Sequence, residues 1–203
     1  MQLKPYLGLV LTVFLVFATD NARSQASPAA SEAKLPLAIG LGVSGFDSDS
    51  NNDRLLGGTF WIDYSLNMLP HSLQGLGLEV YGRDLNYDRS QSEPSNLRQD
   101  VGGGGVFYSW HKYRNIRPYA KFEMGFGNMD YMNRTLRRVN QTRTVTSLGG
   151  GVEFRVMRSV WLRADYEYQN WPDFYKNTKP SGTLNPQGGT LGVMYHFGKP
   201  RLR

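Results

Sequence analysis

The chain has 203 residues, a formal net charge of +6 and no cysteine. The lack of cysteine excludes a disulfide framework, a thiolate metal site and a lipoprotein acylation site. No basic block is dense enough to suggest a nucleic-acid partner.

At the N-terminus, Lys4 precedes an apolar run from Leu7 to Ala18. That is the length of a signal-peptide h-region and too short to span a bilayer comfortably. Ser24-Gln25-Ala26 places small residues at the −3 and −1 positions, so residues 1–26 read as a signal peptide. Cleavage after Ala26 leaves 203 − 26 = 177 residues, enough for one domain. Residues 27–34 form a small, polar lead-in.

Beyond the leader no helical period of useful length occurs, and eight segments alternate apolar and polar residues. In 35–46, Leu37, Ile39, Leu41 and Val43 oppose Ala38, Gly40, Gly42 and Ser44. In 55–66, Leu56, Phe60, Ile62 and Tyr64 oppose Thr59, Trp61 and Asp63. In 75–87, Leu76, Leu78 and Val80 oppose Glu79, Tyr81 and Arg83. The segment 97–111 holds the run Gly102–Gly105, and its lipid-like side is Val106, Tyr108 and Trp110. In 116–128, Ala120, Phe122, Met124 and Phe126 oppose Arg117, Tyr119, Lys121 and Glu123. In 142–155, Leu148, Val152 and Phe154 oppose Ser147, Glu153 and Arg155. The cleanest alternation, 160–169, sets Val160, Leu162, Ala164, Tyr166 and Tyr168 against Trp161, Arg163, Asp165, Glu167 and Gln169. The last segment, 188–197, carries Leu191, Val193, Tyr195 and Phe197 on one face and Thr190, Gly192 and Met194 on the other.

Each segment is long enough for a strand crossing a bilayer at a steep tilt, which takes roughly 9–11 residues. The connections after the odd-numbered segments, 47–54, 88–96, 129–141 and 174–187, read as long and polar. Those at 112–115 and 156–159 are short, and 67–74 is intermediate. The expected fold is all-β, an eight-stranded antiparallel up-and-down barrel over 35–197, followed by a tail at 198–203.

Alternation alone does not say which face is inside. A soluble barrel buries its apolar face, whereas a membrane barrel buries the polar one. The polar face here carries acids and bases in near balance. The acids are Asp63, Glu79, Glu123, Glu153, Asp165 and Glu167, and the bases are Arg83, Arg117, Lys121, Arg155 and Arg163. Such a set can pair within a narrow interior, and glycines on the same face make room for it. Aromatics near the segment ends, among them Phe46, Tyr64, Trp110, Tyr168 and Trp171, suit interfacial girdles. A transmembrane β-barrel is therefore expected, with a secreted soluble barrel for a small hydrophobic ligand as the alternative.

The closing stretch Thr190–Phe197 reads polar, x, Gly, x, x, aromatic, x, aromatic. With the leader, the eight alternations and the loop asymmetry, it resembles the small eight-stranded bacterial outer-membrane barrels, the OmpA/OmpX-like β-barrel domain. The resemblance implies a monomer in the outer membrane, contacting its lipids and lipopolysaccharide. It also implies a closing-strand signal at Thr190, Gly192, Tyr195 and Phe197 for the barrel-assembly machinery. The residues after Phe197 depart from the family pattern, in which chains often end at that aromatic.

The resemblance implies a structural or adhesion-like role through external loops, without cofactor, metal or catalysis. Arg134, Arg137, Arg138 and Arg143 are candidate contacts for lipopolysaccharide phosphates. Ser109 and His111 share a face and raise a lipid-modifying hydrolase as a further alternative. The acidic stretch Asp47–Asp53 starts like a calcium loop but lacks its central glycine and terminal glutamate. Gly102–Gly105 lacks the Gly-Lys-Ser/Thr and helix of a phosphate loop.

Overall fold

The computed structural model describes residues 36–48, 54–66, 69–70, 73–87, 98–110, 115–132, 138–172, 175–176, 179–180 and 182–197. The leader, the lead-in and the tail lie outside these residues. In chain order the strands are β1 (Leu37–Asp47), β2 (Arg54–Ser65), β3 (Leu76–Tyr87), β4 (Arg98–Ser109) and β5 (Ile116–Met132). They continue with β6 (Arg138–Arg155), β7 (Val160–Asn170), β8 (Tyr175–Lys176), β9 (Lys179–Pro180) and β10 (Gln187–Phe197). Each of the eight long strands pairs antiparallel with its sequence neighbours, and β10 returns to β1 to close the barrel. The remaining pair, β8 and β9, forms a two-stranded sheet in the connection from β7 to β10.

Closure removes the free edges that an open sheet would present, so the ladder bonds of every strand pair are met within the protein. The closing register sets Leu41 opposite Val193 and Ser44 opposite Thr190. It therefore keeps apolar with apolar and polar with polar. A slip of one residue would invert both faces of the seam.

The faces are the reverse of a water-soluble barrel. Leu41, Val43, Val80, Phe126, Leu148 and Leu191 all point outward and are at least half exposed. Asp63, Glu79, Arg83, Lys121, Glu123, Arg163 and Glu167 point inward and are buried. An exterior of aliphatic and aromatic side chains around a charged interior is unstable in water and stable in hydrocarbon. The soluble ligand-binding alternative, which needs the opposite arrangement, is set aside on this ground.

Two expectations are corrected. The stretch 129–141 is mostly hairpin rather than loop: β5 has 17 residues and β6 has 18, paired out to Met132 and Arg138. Polar outward residues such as Asn140 give this extension a loop-like composition while leaving its backbone pairing intact. The loop asymmetry is correspondingly weaker, since 66–75 is as long as 88–97 at the opposite end. Second, Phe46 and Trp171 are not girdle residues. Both turn inward and are buried, Phe46 beneath the Arg83 guanidinium at 4.4 Å and Trp171 over Gly127. A Cβ at Gly127 would collide with the Trp171 ring, so glycine there makes room for the indole.

Candidate functional site

The candidate site is the lumen itself. Period-two alternation aims every second side chain of all eight long strands at the barrel axis. Each of these strands places at least one buried polar or charged side chain on that face.

Towards the end that carries the β7–β10 connection, Arg83 makes a two-pronged pair with Glu167, Nη1 to Oε1 at 3.0 Å and Nη2 to Oε2 at 2.9 Å. Its Nε donates to Thr59 Oγ1 at 3.0 Å, and Ser44 joins Thr59 and Thr190 in a hydroxyl chain across β2, β1 and β10. Gln169 donates to Glu167 at 2.9 Å and accepts from Gln99 at 2.9 Å and from Trp171 Nε1 at 3.0 Å. Fork-to-fork geometry with the remaining lone pairs occupied is the arrangement in which a buried ion pair recovers its desolvation cost.

One level further in, Lys121 Nζ lies 3.2 Å from each of Glu79, Glu123 and Glu167 and 3.8 Å from Asp165. Below it, Arg163 gathers residues from four strands. Nη1 donates to Asp63 at 3.1 Å and Nη2 to Glu79 at 2.6 Å; Nε lies 2.6 Å from the Tyr119 hydroxyl and 3.2 Å from Asp165. Tyr119 in turn donates to Asp165 at 2.8 Å. The guanidinium carbon sits 4.5 Å from the Tyr119 ring centre and 4.9 Å from that of Trp61. Gly40 and Gly192 leave the space that the Trp61 indole fills.

At the end that carries the chain termini, Arg117 lies 3.7 Å from Glu153 and stacks at 3.8 Å on Trp161. Arg155 stands apart from the network: its Nε donates to the Met157 carbonyl in the exposed turn at 3.4 Å. The structure thus brings together ten of the eleven charged residues proposed for the polar face. Thr59, Trp61, Tyr119 and Gln169 stand on the polar face in the sequence reading without a part in the charge network, and Gln99 has no assigned face there, although each shares the inward parity of its charged neighbours.

In the closing-strand motif, Thr190 and Gly192 face the lumen. Tyr195 and Phe197 lie outside, edge to face with ring centres 5.0 Å apart. Of the four arginines proposed for lipopolysaccharide, Arg134 and Arg137 lie outside the described residues, and Arg138 opens β6 opposite Met132. Arg143 lies opposite Gly127 on the inward parity of β6, in line with the buried Val145 and Ser147, and is part exposed beside a cavity lined also by Phe126, Thr142, Thr144 and Pro172. Ser109 is buried and donates to the Gly75 carbonyl at 3.4 Å; His111 lies outside the described residues, as does most of the acidic stretch 47–53. Gly102–Gly105 is continuous strand within β4, with Gly103 and Gly105 packed on the β5 backbone. Among the described residues, no group of three or more histidines or carboxylates is placed to hold a metal ion.

A family model described as "Outer membrane protein beta-barrel domain" matches residues 10–197. No curated protein sequence matches the chain. Among solved structures, Neisserial surface protein A is 15% identical with a TM-score of 0.60, over 79% of this chain and 96% of that one. The attachment invasion locus protein Ail of Yersinia pestis is 16% identical with a TM-score of 0.50, over 79% and 96%. The N-terminal β-barrel domain of Pseudomonas aeruginosa OprF is 16% identical with a TM-score of 0.52, over 79% and 97%. At such identities the likeness is one of fold.

Proposed function

The chain belongs to the outer membrane protein β-barrel domain family, and from that premise we propose that it is a sealed wall protein whose contacts are made by its external loops. It is a bacterial outer-membrane β-barrel, embedded in lipid through its apolar band. The observation that carries the sealed reading is the pairing of Lys121 and Arg163 with carboxylates of β2, β3, β5 and β7 across the lumen. An eight-stranded barrel has an interior about as wide as its own side chains, so a filled lumen leaves no continuous water path. Purified protein in a planar bilayer at neutral pH is expected to give no steady unit conductance. Reproducible channels would refute the sealed lumen.

With the lumen closed, interaction chemistry is left to the loops at the end away from the termini. In outer-membrane barrels that end carries the longer, outward-facing loops. Arg134, Arg137, Arg138 and Arg143 concentrate positive charge in and beside the β5–β6 hairpin there, which suits phosphate groups of lipopolysaccharide. A polyanion also appears beside one relative of this fold: Ail has been crystallised with the heparin analogue sucrose octasulfate. Replacing the four arginines by glutamate is expected to reduce co-purifying lipopolysaccharide without changing the heat-dependent gel shift of the folded barrel. Unaltered lipopolysaccharide association would remove these residues from the proposal.

A further inference from the structure

The central lumen is short of positive charge. Five carboxylates, Asp63, Glu79, Glu123, Asp165 and Glu167, surround three cations, Arg83, Lys121 and Arg163, a balance of 3 − 5 = −2. None of these eight side chains is more than 6% exposed. Glu153 does not alter the sum, because Arg117 accompanies it. Two uncompensated charges in a dry interior are strongly unfavourable, so the deficit must be met from outside the protein.

The contacts show where. Glu79 shares the Lys121 ammonium with Glu123 and the Arg163 guanidinium with Asp63. Each pair sets two carboxyls on one cation, and because ionised carboxylates only accept hydrogen bonds, one proton within each pair supplies a donor and removes one excess charge. Two pairs take two protons, which equals the charge deficit. Glu123 Oε1 and Asp63 Oδ1 are also buried without a donor from the protein. Asp165 Oδ1 is too, but Asp165 Oδ2 already faces Tyr119, Arg163 and Lys121. Glu167 is occupied by Arg83 and Gln169.

We propose that the lumen is latched by two bound protons at neutral pH, one held between Glu79 and Glu123 and the other between Glu79 and Asp63. The groups facing them are Lys121 and Tyr119 from β5, Arg163, Asp165 and Glu167 from β7, and Tyr81 and Arg83 from β3. From β6, Ser147 lies 3.5 Å from Glu123 and Glu153 stands nearer Arg117. The inward faces of β1 and β4 contribute no charged side chain among the described residues, and β10 contributes His196, which packs on Trp161 with ring centres 5.5 Å apart. Removing the protons leaves five negative charges on three cations. The latch is therefore present at neutral pH and is lost as pH rises.

This inference deepens the sealed-lumen reading and rests on it, and the two are tested separately. Conductance at neutral pH tests the seal. Infrared spectroscopy of the folded protein in an ester-free detergent tests the protons, through the carboxylic-acid C=O stretch that an ionised carboxylate lacks. At neutral pH wild type is expected to show this band, shifted in deuterium oxide and lost at alkaline pH, with a parallel fall in the urea midpoint. Glu123→Gln and Asp63→Asn, singly, are each expected to remove part of the band; together they should remove it and flatten the alkaline limb. A folded wild type with no such band would overturn the proposal, as would a band undiminished in both single variants. A midpoint that follows sodium or potassium concentration instead of pH would assign the missing charge to a metal cation and equally overturn it. The wild-type measurements decide the matter even if the double variant fails to fold.

Discussion

Arg163→Ala is expected to lower the unfolding free energy by about 3–5 kcal/mol, the range for removing one partner of a buried ion pair. The guanidinium donates to Asp63 and Glu79 and approaches Tyr119 and Asp165. Alanine would strand these acceptors in a space that water enters poorly, and Lys121 is already shared among four carboxylates. The loss is of desolvated partners more than of the pair itself. Hence Arg163→Met combined with Asp63→Asn and Glu79→Gln should recover much of it, because a buried pair replaced by neutral groups of similar volume is often tolerated. Urea unfolding in lipid vesicles, followed by the fluorescence of the buried Trp61 and Trp161, reads both variants. Arg98→Ala is the internal control: its pairs with Asp84 and Asp100 are about half exposed, and surface pairs contribute little. If Arg163→Ala and Arg98→Ala cost the same, the lumen is solvated and its ion pairs are screened.

Much of this arrangement is legible in the sequence, because a strand has a fixed period. Once Arg163, Asp165 and Glu167 alternate with Leu162, Ala164 and Tyr166, their common face follows from geometry alone. The same rule governs Phe46 and Trp171. Each continues the inward parity of its strand, Phe46 after Ser44 and Trp171 after Gln169, although aromatic residues near strand ends suggest a girdle. Parity is the stronger signal there because it is covalent geometry, whereas composition at an interface is a tendency. The pairing inside the lumen is different. Arg163 on β7 meets Asp63 on β2 and Glu79 on β3, strands that are not neighbours in the barrel. Contacts across the axis depend on shear and tilt, which alternation does not specify. The extension of β5 and β6 escapes a sequence reading for a related reason. Outside the hydrocarbon a strand needs no apolar face, so Asn140 looks like loop while its backbone remains paired with Asp130.

Leu41→Arg tests the outer face as Arg163→Ala tests the inner one, and the expected cost in a bilayer is about 2–4 kcal/mol. Leu41 sits midway along the outward row of β1, between Leu37 and Gly45, and is 58% exposed. Its ladder neighbours are Val193 on β10 and Phe60 on β2, both outward and apolar. An arginine there has no polar partner within the band and must reach along the barrel wall towards an interface. The penalty depends on depth, so the same substitution nearer an end is informative. Leu37→Arg, at the first residue of β1, should cost about 0–1 kcal/mol, since charges near the interfaces are tolerated. A graded loss from Leu37 to Leu41, read as urea midpoints in vesicles, would measure the hydrocarbon boundary on this strand. In a water-filled surrounding both substitutions would instead improve solubility and leave stability nearly unchanged. The sign of the Leu41 effect therefore separates a lipid-facing wall from a solvated one, independently of anything the lumen does.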